Sequence, residues 1–415
     1  MAKKEKTPLD KQNWSASFNI IGEAKVSDFT FKIDEHSQKS DWIYNQMNLN
    51  INCGEKYGNV SVQLMGGYAS ERDNVIYAPT KNEDGTFDWK NMYTIDWDDR
   101  FDENILEDIP STSFTRVGLE KTDKDKTFYK DFLTTYDAIA YIQEHLEDGM
   151  VVNVRGNLKY QMYNDSVTCN KEVTSIVLSK AEPENYRATF TQTMLLDQDS
   201  CTKDNLDKDK SVLYVDAYVL EKFREFNGRD LTDNGKIKSG QFVPLRKRFE
   251  FEVDLTTDAG KKKVQSVLSS DKMFKIKKNT VAQVTFEGEF IESGAAVTAT
   301  LDDIPDDIKE LMDMGIYTEE EALARCSTNG SKERRMILTK PYIKMVGDDD
   351  DKHPVIQRTD EKYSADDLLL ECLVAKEEDE DIEADDADID AEETVDDVET
   401  SDDAASDDDW LSMLD

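Results

Sequence analysis

Long stretches of the chain alternate apolar and polar residues at a period of two. The alternation runs through residues 17–33, 42–51 and 59–68 in the first half of the chain. Successive side chains of a strand point to opposite faces, so each run predicts a strand that buries one face in a core. This restricts the first half to a mainly β fold.

The period changes to that of a helix over residues 134–146, where apolar residues are three and four positions apart. Gly149 follows as the predicted C-cap. Strands are predicted next at 150–163, with Gly156 as a bend, and at 173–178. The first half therefore predicts three strands, a helix and two more strands.

The second half repeats this order. Its predicted elements are strands at 186–196, 212–220 and 248–255, a helix at 259–268, and strands at 280–291, with Gly288 as a bend, and 335–339. The segment VVNVRGNL of the first half matches VTFEGEF of the second. We interpret this as an internal duplication of about 150–170 residues, with chance similarity as the alternative because identity is low.

These elements predict two domains between flexible ends. The predicted segments are a flexible N-terminus at 1–13, a first domain at 14–183, a second domain at 184–346 and a disordered tail at 347–415. The first domain contains a charged insertion at 70–126 with a hairpin at Asp84-Gly85, and the second contains a helical insertion at 303–328.

Acidic residues are concentrated in the tail. The net charge is -39, and residues 377–415 hold 21 of the 90 acidic residues and no Lys or Arg. Such a segment repels itself and has too little apolar surface to fold, so we expect disorder. The remaining chain still has 69 acidic against 51 basic residues, a net charge of -18. A nucleic-acid site would therefore need a local concentration of cations.

Several classes of protein are disfavoured. The five cysteines form no CxxC pair, and no apolar run reaches the roughly 20 residues of a membrane helix. The three histidines are isolated, and there is no phosphate-binding glycine loop. The acidic segment at 96–103 fits a solvated loop. The sequence therefore predicts no catalytic residue, cofactor or metal site. We expect a cytoplasmic protein that is not an enzyme.

Residues 138–158 (AIAYIQEHLEDGMVVNVRGNL), followed by VTSIVL, resemble the helix and last two strands of bacterial single-stranded DNA-binding proteins. The end, SDDDWLSMLD, is similar to the acidic tails of bacterial and phage members. The resemblance implies oligonucleotide-binding barrels, here two in tandem, each with a short helix. The chain differs from the bacterial proteins in its greater length, in the 70–126 insertion and in a tip without Pro-Phe. These differences would fit a divergent, phage-encoded member acting in the host cytoplasm.

Binding of single strands requires aromatic faces for bases and cations for phosphates. In the first domain the candidates are Trp42, Tyr44, Lys56, Tyr57, Tyr68, Arg155, Lys159, Tyr160 and Tyr163. In the second domain they are Tyr214, Tyr218, Arg246, Lys247, Arg248, Lys275 and Lys277. Any one of the aromatic residues could instead fill a barrel core, and the cations could form a solvated surface.

The tail tip combines apolar residues with carboxylates at Trp410, Leu411, Met413, Leu414 and Asp415. Apolar anchors beside acidic residues fit a partner pocket with a basic rim. The predicted partners are replication or recombination proteins, such as a polymerase, helicase or primase. A polyanion tethered near a cationic groove would also compete with DNA, at an effective concentration of roughly millimolar.

Two other functions stay open at this stage. The acidic body is compatible with a protein-interaction scaffold or a nucleic-acid mimic that binds no DNA. Tandem β domains also occur in capsid or tail proteins, which self-assemble. Single-stranded DNA binding with little sequence preference is the function that the sequence favours, and self-association is left open.

Overall fold

The computed structural model describes residues 7–81, 87–163, 166–222, 225–226, 229–230, 241–293, 296–297, 309, 312, 318, 328–329, 333–347 and 351–368. Most of the predicted helical insertion at 303–328, and the tail beyond residue 368, lie outside these ranges. In the described part of the chain, no helix is long and apolar enough to cross a membrane.

The first block of the chain is built mainly of strands. Its strands are β1 (Ala16–Lys25), β2 (Phe31–His36), β3 (Trp42–Asn52), β4 (Asn59–Ala69), β5 (Val75–Lys81), β6 (Phe87–Asp96), β7 (Thr115–Lys121), β8 (Thr127–Phe132), β9 (Val151–Tyr163) and β10 (Ser166–Leu178). Its helices are α1 (Gly54–Tyr57), α2 (Glu103–Leu106) and α3 (Thr135–His145). The predicted strand at 17–33 is two strands, β1 and β2, joined by a turn.

Five of these strands close into a ring. β1 pairs with β3, β3 with β4, and β9 with both β1 and β10, all antiparallel. The ring closes where β4 and β10 pair in parallel at Gln63 and Glu172. With α3 between the third and fourth ring strands, this is the order of an oligonucleotide-binding barrel. The predicted fold is confirmed for the first block.

Local sequence explains where α3 begins and ends. The Thr134 hydroxyl accepts a hydrogen bond from the Asp137 N–H, which satisfies a free donor of the first turn. Leu146 occupies the C-cap position, so the prediction that Gly149 is the C-cap was wrong. Gly149 has a φ of 84° and turns the chain into β9 instead, a conformation that glycine adopts without strain.

Two hairpins lie between β4 and α3, and the second extends beyond the predicted end of the insertion at residue 126. β5 and β6 pair antiparallel on either side of the predicted Asp84-Gly85 turn, which itself lies outside the described residues. β7 and β8 form the second hairpin, and β7 extends the barrel sheet by pairing in parallel with β10.

The second block continues the sheet. Its strands are β11 (Arg187–Leu196), β12 (Leu206–Asp207), β13 (Val212–Lys222), β14 (Glu225–Phe226), β15 (Arg229–Asp230), β16 (Phe242–Glu252), β17 (Thr280–Ser293), β18 (Ala296–Val297), β19 (Thr328–Asn329), β20 (Glu333–Pro341), β21 (Ile343–Val346), β22 (His353–Ile356) and β23 (Arg358–Ser364). Its helices are α4 (Asp258–Ser269) and α5 (Ala365–Leu368).

The pairings of the second block follow the same order as those of the first. β11 pairs with β17, β17 with β20, and β13 with β16, all antiparallel. β11 meets β13 at one residue pair, Leu195 with Tyr218, and β16 meets β20 in parallel at Glu250 with Ile337. α4 lies between β16 and β17, as α3 lies between β4 and β9.

The two glycines predicted as bends occupy matching positions. Gly156 on β9 pairs with Phe18 on β1, and Gly288 on β17 pairs with Phe190 on β11. A Cβ at Gly156 would lie 2.7 Å from the Phe18 ring, and one at Gly288 would lie 2.2 Å from the Phe190 ring. Each glycine therefore makes room for a core phenylalanine of the first strand of its block.

The two blocks share one core because β1 also pairs antiparallel with β11, over six residue pairs from Ala16–Gln192 to Ile21–Arg187. A buried ion pair, Lys171 with Glu292, also joins the blocks. Glu292 further accepts a hydrogen bond from the Ser61 N–H at 3.3 Å. The blocks are therefore held together by backbone pairing and by buried polar contacts.

The ends of the described chain differ from the prediction. Leu9, Tyr363 and Leu368 are buried in one cluster on the second block, and β23 pairs with β17. The predicted flexible N-terminus therefore ends too late in the chain and the predicted tail begins too early, since Leu9, β23 and α5 pack on the body. Isolated apolar residues in polar segments gave no periodic pattern from which this packing could be predicted.

We expect Gly156→Ala to destabilise the fold by about 1–3 kcal/mol, the usual cost of overpacking. The added Cβ would lie 1.9 Å from the Glu172 carbonyl oxygen. Urea unfolding of the variant measures the effect, with Asn157→Ala, an exposed neighbour, as control. Equal stability of the two variants would contradict the close approach.

We expect Lys171→Met to cost about 3–5 kcal/mol of the free energy of unfolding, because it leaves the buried Glu292 carboxylate without its close cation. Among the described cations, only Arg334, at 4.0 Å, then remains near it. Lys171 is 6% exposed and Glu292 is 2% exposed. The double variant with Glu292→Gln should recover most of the loss in the same unfolding measurement. A single variant as stable as the double would show that the pair does not matter.

Candidate nucleic-acid interface

Strands β13 and β16 present a charged and aromatic outer face. Alternation along β13 buries Leu213, Val215 and Ala217 completely, so Tyr214, Asp216 and Tyr218 lie on the opposite face. In the antiparallel register, Asp216 is opposite Arg248 and Tyr218 is opposite Arg246. In oligonucleotide-binding barrels, the outer face of the second and third strands is the surface that binds oligonucleotides. We call this surface the β13–β16 face.

Arg248 is held in a defined orientation on this face. Its Nε and Nη2 donate to the two carboxylate oxygens of Asp216 at 2.8 and 2.9 Å. Its guanidinium carbon lies 4.9 Å from the centroid of the Tyr214 ring. Arg246 approaches the same carboxylate at 3.6 Å, and both arginine side chains are 59% exposed. The face therefore offers two accessible guanidinium groups beside an aromatic ring.

The charge of Asp216 depends on these arginines. Hydrogen bonds from Arg248 lower the pKa of Asp216 below its ordinary value of 3.8, against the opposing effect of burial. The same hydrogen bonds raise the pKa of Arg248. At neutral pH the cluster consists of two cations and one buried anion, and its net charge is positive.

Tyr218 and Tyr214 are both half-buried, but Tyr218 packs against an apolar cluster. It packs at the edge of the cluster that contains Leu9, Trp14 and Tyr363, and burial raises its pKa to about 12. Of the two predicted stacking tyrosines, Tyr214 therefore has the setting expected at a binding surface.

A cavity of about 330 Å³ lies between the β11–β13 connection and α4. Lys203, Lys275, Gln265 and Ser269 are among its lining residues. The Asp216 N–H donates to the Ser200 carbonyl at 2.8 Å, which places this connection beside the β13–β16 face. Lys275 was predicted from its lysine-rich segment; Lys203 was missed because acidic residues are interspersed with the lysines around it.

Two of the predicted cations of the second block lie elsewhere. Lys247 points toward the first block, where its Nζ donates to the Val167 carbonyl at 3.0 Å, and burial lowers its pKa. Lys277 is paired with Glu361 at 2.6 Å. The structure therefore does not bring these two residues to the β13–β16 face. Alternation on β16 directs Lys247 to the opposite face, and Lys277 is held by the carboxylate of Glu361.

The equivalent surface of the first block is the outer face of β3 and β4. Trp42 and Tyr44 are half-buried on this side of β3, opposite Ala69 and Gly67. Met65 is half-exposed next to them. A Cβ at Gly67 would lie 2.8 Å from the Tyr44 Cβ, so only glycine fits there. The structure thus places these two predicted stacking residues together.

Tyr68 faces the other way and joins an aromatic cluster. Its ring centroid lies 5.2 Å from that of Trp97 and 5.4 Å from that of Tyr136. Arg100 covers the Trp97 ring at 4.5 Å and pairs with Asp137 at 2.8 Å. Trp97, Arg100 and Tyr136 were not predicted, because they are far from Tyr68 in sequence and share no pattern with it.

Three predicted residues of the first block lie at its junction with the second. Tyr160 is 3% exposed and its hydroxyl donates to Gln192 at 2.9 Å. Lys56 pairs with Glu289 at 2.7 Å, and the Tyr57 hydroxyl donates to the same carboxylate at 3.1 Å. The Tyr160 ring is thus in the core, the alternative that the sequence left open.

Arg155 and Lys159 point outward from β9, as predicted from the buried Val152 and Val154. Tyr163 ends β9, and its side chain lies outside the described residues. The tail-tip residues from Trp410 to Asp415 are also outside them. Among the residues that the structure describes, no cluster of His, Cys, Asp and Glu could hold a metal ion.

Comparison with known proteins gives no independent support for the fold or for a function. No protein-family model and no curated protein matches the sequence. A solved structure that is similar is a deletion mutant of the single-stranded DNA binding protein from Thermus aquaticus. The identity is 10%, the TM-score is 0.26, and the match covers 68% of this chain and 88% of that chain. A likeness at this level carries no argument about fold or function.

The Asp216–Arg248 pair should make stability depend on pH. Because the pKa of Asp216 is lower in the folded than in the unfolded chain, its stabilising contribution is complete above its ordinary pKa of 3.8. The contribution is lost as the pH falls through the lower, folded pKa. The stability difference between the natural protein and Asp216→Asn should therefore shrink on acidification.

Urea unfolding at pH 5, 4 and 3 measures this difference, with Asp199→Asn, an exposed carboxylate, as control. A difference for Asp216→Asn that is the same at all three pH values would contradict the pairing.

Proposed function

We propose that the chain binds single-stranded DNA, with little sequence preference, through two oligonucleotide-binding barrels in tandem. The first barrel is closed by its strand pairings, and the second block has the same order of strands around α4. In this proposal the outer faces β3–β4 and β13–β16 are the two binding surfaces, and the protein has no catalytic activity.

The β13–β16 face is the observation that carries the proposal. It places Arg248 beside Tyr214, and Arg246 beside the same aspartate as Arg248, in a chain with a net charge of -39. Guanidinium groups can contact phosphates and an aromatic ring can stack on a base, and neither contact depends on base identity. Trp42 and Tyr44 would supply the stacking surface of the first barrel.

The tail extends the proposal. Its acidic residues would compete with DNA for the cationic faces, and the tail tip would recruit replication or recombination proteins. These roles are supported by composition alone, since the tail lies outside the described residues.

The test is a fluorescence titration with poly-dT and with duplex DNA at several salt concentrations, using the full chain and a variant ending at residue 376. Binding of poly-dT but not duplex, weakened by salt and tightened by the truncation, is the expected result. An acidic protein-interaction scaffold, which the net charge of -18 outside the tail favours, would show no binding by either form.

Tyr214→Ala should weaken binding of poly-dT by about 1–3 kcal/mol, the usual contribution of one stacked base. Tyr129→Ala is a matched control, since Tyr129 also lies near an arginine, Arg116, that pairs with an aspartate, Asp131. That group is on the β7–β8 hairpin, away from the proposed face. An equal loss in both variants would show that the β13–β16 face has no special role.

A further inference from the structure

The outer surface where the two blocks join is concave and polar. Neighbouring residues on β9, β1 and β11 share this surface in two rows: Arg155, Asn19 and Thr189, then Asn157, Ser17 and Thr191. These residues line a cavity of about 520 Å³. We call this surface the seam face.

Three cations lie on the seam face. Arg155 and Lys159 are exposed on β9, and Arg187 is exposed on β11 opposite Ile21. In the described part of the chain, no carboxylate lies within 4.0 Å of any of these three cations. One carboxylate of the surface, Glu172 opposite Asn157, also has no cationic partner there. The cations therefore outnumber the free anion.

The next strand adds carboxylates that are already neutralised. Glu287 and Glu289 on β17 continue the two rows beyond Thr191 and Thr189. Glu287 pairs with Lys340 at 3.1 Å, and Glu289 pairs with Lys56 at 2.7 Å. The seam face is therefore locally positive in a strongly acidic chain, and an anion near Arg155 would not be repelled by free carboxylates of β17.

The floor of the cavity contains an unpaired acceptor. The Asn19 Oδ1 atom is buried and has no hydrogen-bond partner among the described residues, and the same holds for Asn153 Oδ1, two residues before Arg155. Buried polar atoms are nearly always hydrogen-bonded in folded proteins. A ligand that offers both acceptors for Arg155 and a donor for the Asn19 amide, which line the same cavity, would complete the site.

We infer that the seam face binds a nucleotide segment of the single strand as it passes from one barrel to the other. This inference rests on the proposed function. A nucleotide supplies phosphate oxygens for Arg155 and for hydroxyl donors such as Ser17, and base N–H groups for Asn19. The strand thus crosses the β1–β11 pairing rather than passing around the ends of the sheet.

Arg155→Gln tests this by removing the cation without a large change in size. Binding of labelled dT oligonucleotides from 10 to 70 nucleotides is measured by fluorescence anisotropy at several salt concentrations. The longest oligonucleotides should bind roughly tenfold more weakly. The slope of the logarithm of the binding constant against the logarithm of the salt concentration should become shallower by about 0.7, the value for one phosphate contact on a single strand. The shortest ones, which fit on one barrel, should be unaffected.

Arg72→Gln is the control, because Arg72 is exposed on the connection between β4 and β5, outside the seam face. A second variant, Ser17→Glu, adds a carboxylate to the seam face and should weaken the binding of long oligonucleotides in the same way. Circular dichroism establishes that each variant folds.

The outcomes are distinct. If the natural protein binds oligonucleotides and both seam variants bind them equally well, the seam inference fails and the proposed function stands. If the natural protein binds none, the proposed function itself fails. If sedimentation shows a dimer that Arg155→Gln dissociates, the seam face is a contact between copies and the inference is overturned.

Discussion

The antiparallel pairing of β1 with β11 is the constraint on which the arrangement of the molecule depends. β1 pairs with β9 from Ser17 to Glu23, with β3 from Glu23 to Lys25 and with β11 from Ala16 to Ile21. One strand therefore closes the first ring and joins the second block. Relative movement of the blocks would break backbone hydrogen bonds and separate the buried Lys171 from Glu292. The outer faces β3–β4 and β13–β16 are thus held at a fixed distance from each other.

Local charge, rather than net charge, decides whether a surface of this chain attracts a phosphate. Asp216 is buried under two arginines, and the β17 carboxylates are paired with lysines. Anions on the proposed surfaces therefore act mainly as positioning partners of cations. The excess of acidic residues in the tail is separated from these surfaces in sequence. An acidic composition is consequently compatible with locally positive faces.

Much of the barrel could be predicted from the sequence, because alternation and helical spacing are local properties. Periodicity predicts the positions of the strands and of the two helices α3 and α4. It also predicts that Arg155 points outward. Alternation also places Tyr160 on the face of Val152 and Val154, and Lys247 on the face of Leu245, so their inward direction follows from periodicity as well. The segments of the other block that these two side chains contact could not be predicted this way. Alternation shows which residues share a face of a strand, but not which face the other block covers. The aromatic cluster around Tyr68 could not be predicted from the sequence either, because it depends on contacts between distant segments.

The triple pairing of β1 also has a consequence for synthesis of the chain. The first ring cannot close until β9 and β10 have left the ribosome, more than a hundred residues after β1. Even then, the edge of β1 from Ala16 to Ile21 has unpaired backbone groups until β11 follows. An open strand edge is a template for another chain, so neighbouring nascent chains on one messenger could exchange this strand. The short connection from β10 to β11 keeps the correct partner close at that moment.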